Sequence, residues 1–291
     1  MTAPDRQDRF SSQRLNLAYA EWGDPDAPPL VLVHGGRDQK RSWDRVAGRL
    51  SQTYRVIAFD LRGHGESDWV SDGDYGVMDH VFDLASLVDH LGLARFTLIG
   101  HSLGGNITLR YAGLFPDQIT KLVAIEGLGP SPKMLAERKA MPVTQRLTDW
   151  IEQRRSLSDR APRIMENLEA AKARMQAAFS HLPEDLIHHL TETGVKTHAD
   201  GTVSWAYDPS GMGRSPSDIS HEDFVHLWTQ ITCPTWLVYG ADSWASNPAR
   251  DGRIEPFQNA SVSLIENAGH WLHHDQFSDF MDQLERFLGT G

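Results

Sequence analysis

The chain reads as an α/β protein with a mostly parallel sheet, and three observations predict this. Short apolar runs recur along it, a helical period links two of them, and the strand rhythm lapses over one long stretch. The runs are Leu30 to Val33, Val56 to Phe59, Phe96 to Ile99, Leu122 to Ile125, Thr235 to Tyr239 and Val262 to Ile265. Unbroken apolar runs of this length read as strands buried on both faces, as parallel strands are. Between the second and third runs, Met78, Val81, Phe82, Ala85, Val88 and Leu91 fall on one helical face, with Asp79, Asp83 and Asp89 mostly away from it. Right-handed crossovers of this kind bring each strand back beside an earlier one and cover both faces of the sheet with helices.

Upstream, Arg14 to Trp22 alternates before Gly23-Asp24-Pro25, the pattern of a half-exposed antiparallel edge strand ending in a turn. From Gly129 to Ser220 the strand runs stop, and helical patterns such as Ile164 to Phe179 replace them, broken by prolines at 142, 162, 183, 209 and 216. Residues 129–220 are therefore expected to form a mainly helical cap inserted into a core of residues 1–128 and 221–291. Within the cap, Asp200-Gly201 followed by Thr202 to Tyr207 suggests a hairpin. A length of 291 residues suits one globular domain carrying such an insertion.

A formal net charge of −11 and the lack of a basic run argue against nucleic acid or an anionic membrane surface as partner. Met1 to Arg14 is polar, without an apolar core of signal-peptide length, and no stretch approaches the length of a membrane span. The single cysteine, Cys233, precedes Pro234 and an apolar strand and reads as a buried thiol, which suits a cytoplasmic protein. A homodimer is compatible with all of this.

Chemistry concentrates where strands end. Gly100-His101-Ser102-Leu103-Gly104 is a G-x-S-x-G motif between the strand Phe96 to Ile99 and a predicted helix, Asn106 to Phe115. A serine hydroxyl needs a base to take its proton, and a sharp strand-to-helix turn exposes it above the sheet, with flanking glycines relieving the crowding. Ser102 is thus the candidate nucleophile. The turn His34-Gly35-Gly36-Arg37 follows the first long apolar run, and the N–H groups of Gly36 and Leu103 are candidates for an oxyanion hole. The last apolar run leads into Glu266-Asn267-Ala268-Gly269-His270, so His270 sits at the same sheet edge and is the candidate base. His273 and His274 read as surface or supporting residues on the next helix.

His34-Gly35-Gly36, the block from Phe59 to Asp68 (FDLRGHGESD), GHSLGG and NAGHWLHHDQ together resemble the α/β-hydrolase superfamily over nearly the whole chain. The resemblance implies the α/β-hydrolase fold with an eight-stranded sheet, hydrolytic chemistry, a cap at residues 129–220 and a structural turn at Asp60 to Gly65. In most members that resemble this chain, the acid of the catalytic triad lies three residues after the glycine closing the penultimate strand. Here that position is Ser243, and Asp242 is one residue early. The first candidate is instead Glu126, at the end of the strand Leu122 to Ile125, the position used by some dehalogenases and a few serine lactonases of the superfamily; Asp242 is the alternative.

Serine at the elbow, in place of aspartate, argues against dehalogenase and epoxide-hydrolase chemistry and leaves acyl transfer to water. The expected substrate is a small carboxylic ester or lactone, apolar or aromatic, and no cofactor is required. Arg37, Trp150, Trp205 and Trp244 are candidate substrate contacts, with Phe179 and Tyr207 as further cap aromatics. No metal site is expected, because His221-Glu222 followed by His226 breaks the H-E-x-x-H spacing. Two other readings stay open: a C–C bond hydrolase of aromatic degradation, and a slow ligand receptor on the same scaffold.

Overall fold

A computed structural model describes residues 1–71, 75–158, 160–212 and 218–289. In chain order its strands are β1 (Arg6–Ser12), β2 (Leu15–Trp22), β3 (Pro29–Val33), β4 (Arg55–Phe59), β5 (Phe96–His101), β6 (Ile119–Ile125), β7 (Ile164–Met165), β8 (Val195–Thr197), β9 (Val203–Trp205), β10 (Thr235–Gly240) and β11 (Ala260–Ile265). Eight of them form one sheet in the order β1-β2-β4-β3-β5-β6-β10-β11, antiparallel at β1, β2 and β4 and parallel from β4 onward. Each predicted apolar run lies within one of these strands.

The helices are α1 (Asp44–Leu50), α2 (Val77–Leu91), α3 (Leu103–Leu114), α4 (Pro132–Ala140), α5 (Val143–Ser158), α6 (Leu168–Ala178), α7 (Glu184–Gly194), α8 (His221–Gln230), α9 (Pro248–Asp251), α10 (Leu272–Asp275) and α11 (Phe277–Leu288). The period of two along a strand divides the core into two layers. Val31, Val33, Ile57, Phe59, Leu98, Leu122 and Leu237 pack with α2, α3 and α8, while Leu30, Leu32, Val56, Ile99, Val123 and Trp236 pack with α1 and α11. Among the described residues, no helix is long and apolar enough to cross a membrane. Cys233 is buried, and burial raises its thiol.

Three expectations are corrected. The stretch Arg14 to Trp22 does contain a strand, but β2 is mostly buried and antiparallel to β1 on one side and β4 on the other. The edge belongs to β1, whose RQDRFSS sequence buries only Phe10 and Ser12 and so carries little apolar signal. The buried face of α2 is His80, Val81, Asp83, Leu84, Leu87 and Val88, whereas Phe82 is 52% exposed. The helix is turned by Asp83, which takes two hydrogen bonds from Arg62 at 2.7 Å and one from Ser12 at 2.6 Å. His273 and His274 are not at the surface: both are buried, His273 stacked on Trp43 at 4.8 Å.

Between β6 and β10 the chain leaves the main sheet and builds α4 to α8 with a small sheet of order β7-β9-β8. The hairpin anticipated around Asp200-Gly201 is β8 and β9, closed by a turn with Gly201 at φ +85°. Pro216 lies outside the described residues. Helix α7 docks on the core through Gln39 Nε2, which donates to Thr193 Oγ1 at 2.9 Å, and His189 Nε2, 3.0 Å from the carbonyl of Arg41.

Two outcomes are expected. Asp83→Ala strands the buried Arg62 guanidinium and should lower unfolding free energy by about 3–5 kcal/mol, read from urea denaturation. Burial pushes His34, His64, His80, His101, His273 and His274 down, His274 to about 3. Below about pH 6.5 the unfolded chain therefore binds protons that the folded chain refuses. Stability is complete above that pH and falls on acidification, by up to about 1.4 kcal/mol per pH unit for each such histidine, as a series of melting curves from pH 7 to 5 should show.

Candidate active site

Ser102 stands between β5 and α3 with φ +53° and ψ −113°, a conformation that costs a non-glycine residue about 1–3 kcal/mol. The strain is held from both sides. The Ser102 N–H donates to the Ile125 carbonyl at 2.7 Å, and its own carbonyl accepts from Asn106 at 3.0 Å. The glycines beside it permit the close approach. A Cβ on Gly100 would lie 2.4 Å from the Gly104 carbonyl oxygen, and one on Gly104 would lie 2.2 Å from that of Val33. Both sites exclude any side chain.

His270 follows β11 on a loop pinned at several points. Gly269 N–H donates to Asp275 at 2.8 Å, Asp242 N–H to the Ala268 carbonyl at 3.0 Å, and His101 Nε2 lies 2.8 Å from the His270 carbonyl. Burial drives His101 well below the usual histidine range, so it is neutral, and the proton it carries sits on Nε2 and is donated to that carbonyl. The His270 ring is thereby turned toward Ser102, whose Oγ lies 3.0 Å from Nε2. On its other side Nδ1 makes a short hydrogen bond to Glu126 Oε2.

Glu126 ends β6 at φ +50°, its own N–H bonded to the Val238 carbonyl at 3.1 Å. Its buried carboxylate accepts from Gly240 N–H at 2.9 Å on Oε1 and from Ser243 Oγ at 2.7 Å on Oε2. The two carboxylate candidates are thus separated by geometry: Glu126 meets the imidazole, whereas Asp242 is exposed. Ser243 turns its hydroxyl to the carboxylate that approaches from β6. Sequence reasoning noted Ser243 only as the residue standing where an acid was looked for and assigned it no role.

The turn after β3 is braced by the block after β4. His34 donates from Nδ1 to the Gly35 carbonyl at 2.7 Å and accepts from Leu61 N–H at 3.0 Å. His64 donates from Nδ1 to the Arg62 carbonyl at 3.0 Å and accepts from Arg37 N–H at 3.1 Å. Each ring donates through one nitrogen and accepts through the other, which requires the neutral form that burial favours. Arg37 is held by this contact in a left-handed conformation, φ +62°. Gly36 is exposed and a Cβ there would meet nothing within 4 Å, so the turn is open above it. Leu103 opens α3, and its N–H belongs to the first helical turn, whose donors lack intrahelical acceptors.

The aromatic candidates separate. Trp205 and Tyr207 line a small cleft with Arg37, Asp38 and Trp271. Phe179 stacks on Trp271 at 4.5 Å, and Trp244 lies over the His270 ring at 5.0 Å while remaining exposed. Trp150 is half-buried on α5 and does not line the cleft. Asp38, not singled out from the sequence, is buried, and burial raises its carboxyl to about 7. Among the described residues no cluster of side chains is suited to a metal ion.

Known proteins match this architecture. A 2-(acetamidomethylene)succinate hydrolase of Mesorhizobium japonicum is 26% identical over 281 residues, 94% of this chain and 93% of that protein. An sn-1-specific diacylglycerol lipase of Mus musculus is 28% identical over 280 residues, 91% of this chain and 82% of its own length. The thioesterase domain from the curacin biosynthetic pathway shares the fold with a TM-score of 0.82 at 23% identity, over 96% of this chain and 98% of that domain. A family model described as the alpha/beta hydrolase fold matches residues 28–277, from the residue before β3 to the start of α11. The chain belongs to the α/β-hydrolase family and is a hydrolase of that fold.

Proposed function

We propose that the protein cleaves a small carboxylic ester or lactone through an acyl-enzyme on Ser102. The observation that carries this reading is the unbroken line of hydrogen bonds from Ser102 Oγ through His270 to Glu126. Ser102 Oγ attacks the carbonyl carbon while its proton passes to His270 Nε2. The carboxylate of Glu126 keeps Nδ1 protonated and stabilises the imidazolium without taking the proton. The tetrahedral oxyanion accepts hydrogen bonds from the N–H groups of Gly36 and Leu103. Collapse expels the alcohol, which takes the proton from His270 and, in a lactone, stays attached through the acyl chain. Water then attacks the acyl-enzyme with His270 again as base and releases the acid.

Residues 129–220 act in this reading as a cap, with its Trp205 and Tyr207 lining a small cleft beside Trp271, while Trp244 stands against the His270 ring. The rings favour an apolar or aromatic substrate. Arg37, exposed beside Gly36, stands where a polar group on the substrate would pass. The relatives' named activities, a lipase and a succinate-type hydrolase, are both compatible with acyl chemistry and differ too widely to choose a substrate.

The test is turnover of a series of p-nitrophenyl and aryl esters and a lactone panel. Ser102→Ala should lower kcat by about 10⁴-fold or more, with the fold retained by circular dichroism. Glu126→Gln should cost about 10³- to 10⁴-fold, and Asp242→Asn should stay near wild type; a collapse of Asp242→Asn with an active Glu126→Gln would refute the assignment of the acid. Ser243→Ala removes one hydrogen bond to the Glu126 carboxylate and should lower kcat about tenfold with little change in KM, the equivalent of roughly 1.5 kcal/mol.

A further inference from the structure

The net charge of −11 conceals an uneven distribution. Between residues 132 and 163 there are eight Lys and Arg against four Asp and Glu, a local excess of +4, so the rest of the chain carries −15. This basic segment contains α4 and α5, and it is also where apolar side chains stand uncovered. Helix α4 buries none of its residues, and Leu157 is the one described residue of α5 that is buried. On α5, Val143, Leu147 and Ile151 recur every four residues and are 56%, 45% and 42% exposed. Trp150 and Leu157 flank them toward the body, giving an apolar stripe of which one edge is packed and the other open. On α4, Met134 and Arg138 share a face at i and i+4, both exposed, with Lys133 and Lys139 also exposed, and the exposed Met141 follows the helix in an extended conformation.

We propose that α4 and α5 form a docking surface for an anionic lipid bilayer. A helix with an open apolar stripe and flanking cations lies in the headgroup region with its apolar face down, and the long stems of Lys and Arg let their charges reach the phosphates. Sixteen residues make α5 about 24 Å long, enough to lie along the surface but not to span it with so few apolar residues. The uneven charge sets the orientation: the acidic body is repelled by the same surface that attracts α4 and α5. A second copy of the chain fits less well, because a two-fold contact through this face would set one basic surface against another.

The test is co-sedimentation of the full chain with phosphatidylcholine vesicles, with and without phosphatidylglycerol, over a salt series. Binding should require phosphatidylglycerol and fall as salt rises. Arg138→Glu with Lys139→Glu should weaken it by at least about fivefold per lost cation, and Leu147→Glu with Ile151→Glu should abolish it. Both double variants should retain wild-type turnover of a soluble p-nitrophenyl ester, which also shows that they fold. The proposal is overturned if the wild type does not sediment with anionic vesicles at low salt, or if active double variants sediment like the wild type. It is equally overturned if light scattering shows a dimer that Leu147→Glu with Ile151→Glu dissolves, since the stripe is then covered by a second copy.

Discussion

The site depends on how closely the first turn of α3 presses on the ends of its neighbouring strands. Gly104 sits against the carbonyls of Val33 and His34 at the end of β3, Gly100 against Gly104 at the end of β5, and Gly105 against Gly127 just beyond β6. Three loops thus meet around one helical turn: the glycine turn after β3, the turn carrying Ser102 and the start of the segment carrying Glu126. Side chains at these glycines would push the helix away and relax the backbone strain at Ser102. Packing here sets distances that hydrogen bonding then refines.

Around that contact, neutral histidines do work that charged groups could not. His34, His64 and His101 each satisfy backbone groups of a functional loop, and each is buried where a positive charge would be costly. A neutral imidazole offers one donor and one acceptor on opposite sides of a rigid ring, so His34 and His64 can tie two loops together without bringing a charge beside the nucleophile. Ser102 and Glu126 both have positive φ, and both are held by hydrogen bonds from their N–H groups to neighbouring strands, to Ile125 and Val238. Strain that recurs at two members of one hydrogen-bonded line marks where the fold invests its stability.

Much of this was legible in the sequence because the signals were local. Buried parallel strands announce themselves as apolar runs, and the serine elbow as a glycine-flanked motif between a strand and a helix. The edge strand β1 was not legible, since only Phe10 and Ser12 face inward and its polar residues resemble a loop. The rotation of α2 was hidden too, because the Arg62–Asp83 ion pair that turns it joins distant segments. The two carboxylate candidates could not be separated without knowing that β6 and β10 are neighbours. That adjacency lets Glu126 receive the Gly240 N–H and the Ser243 hydroxyl together.

The placement of that carboxylate also matters for how the protein can change. Glu126 directly follows β6, so its position is set by the register of two central strands, and residues 244–259, which lead from β10 toward β11, carry no member of the hydrogen-bonded line. Gly240, which closes β10, and Ser243, both ahead of that connection, bond to the carboxylate. Exchanges at Trp244 itself can remodel the rim while leaving the hydrogen bonds of the imidazole in place. The arrangement sets the hydrogen-bonded line apart from the exposed Trp244, and that makes Trp244 a natural place to graft new recognition.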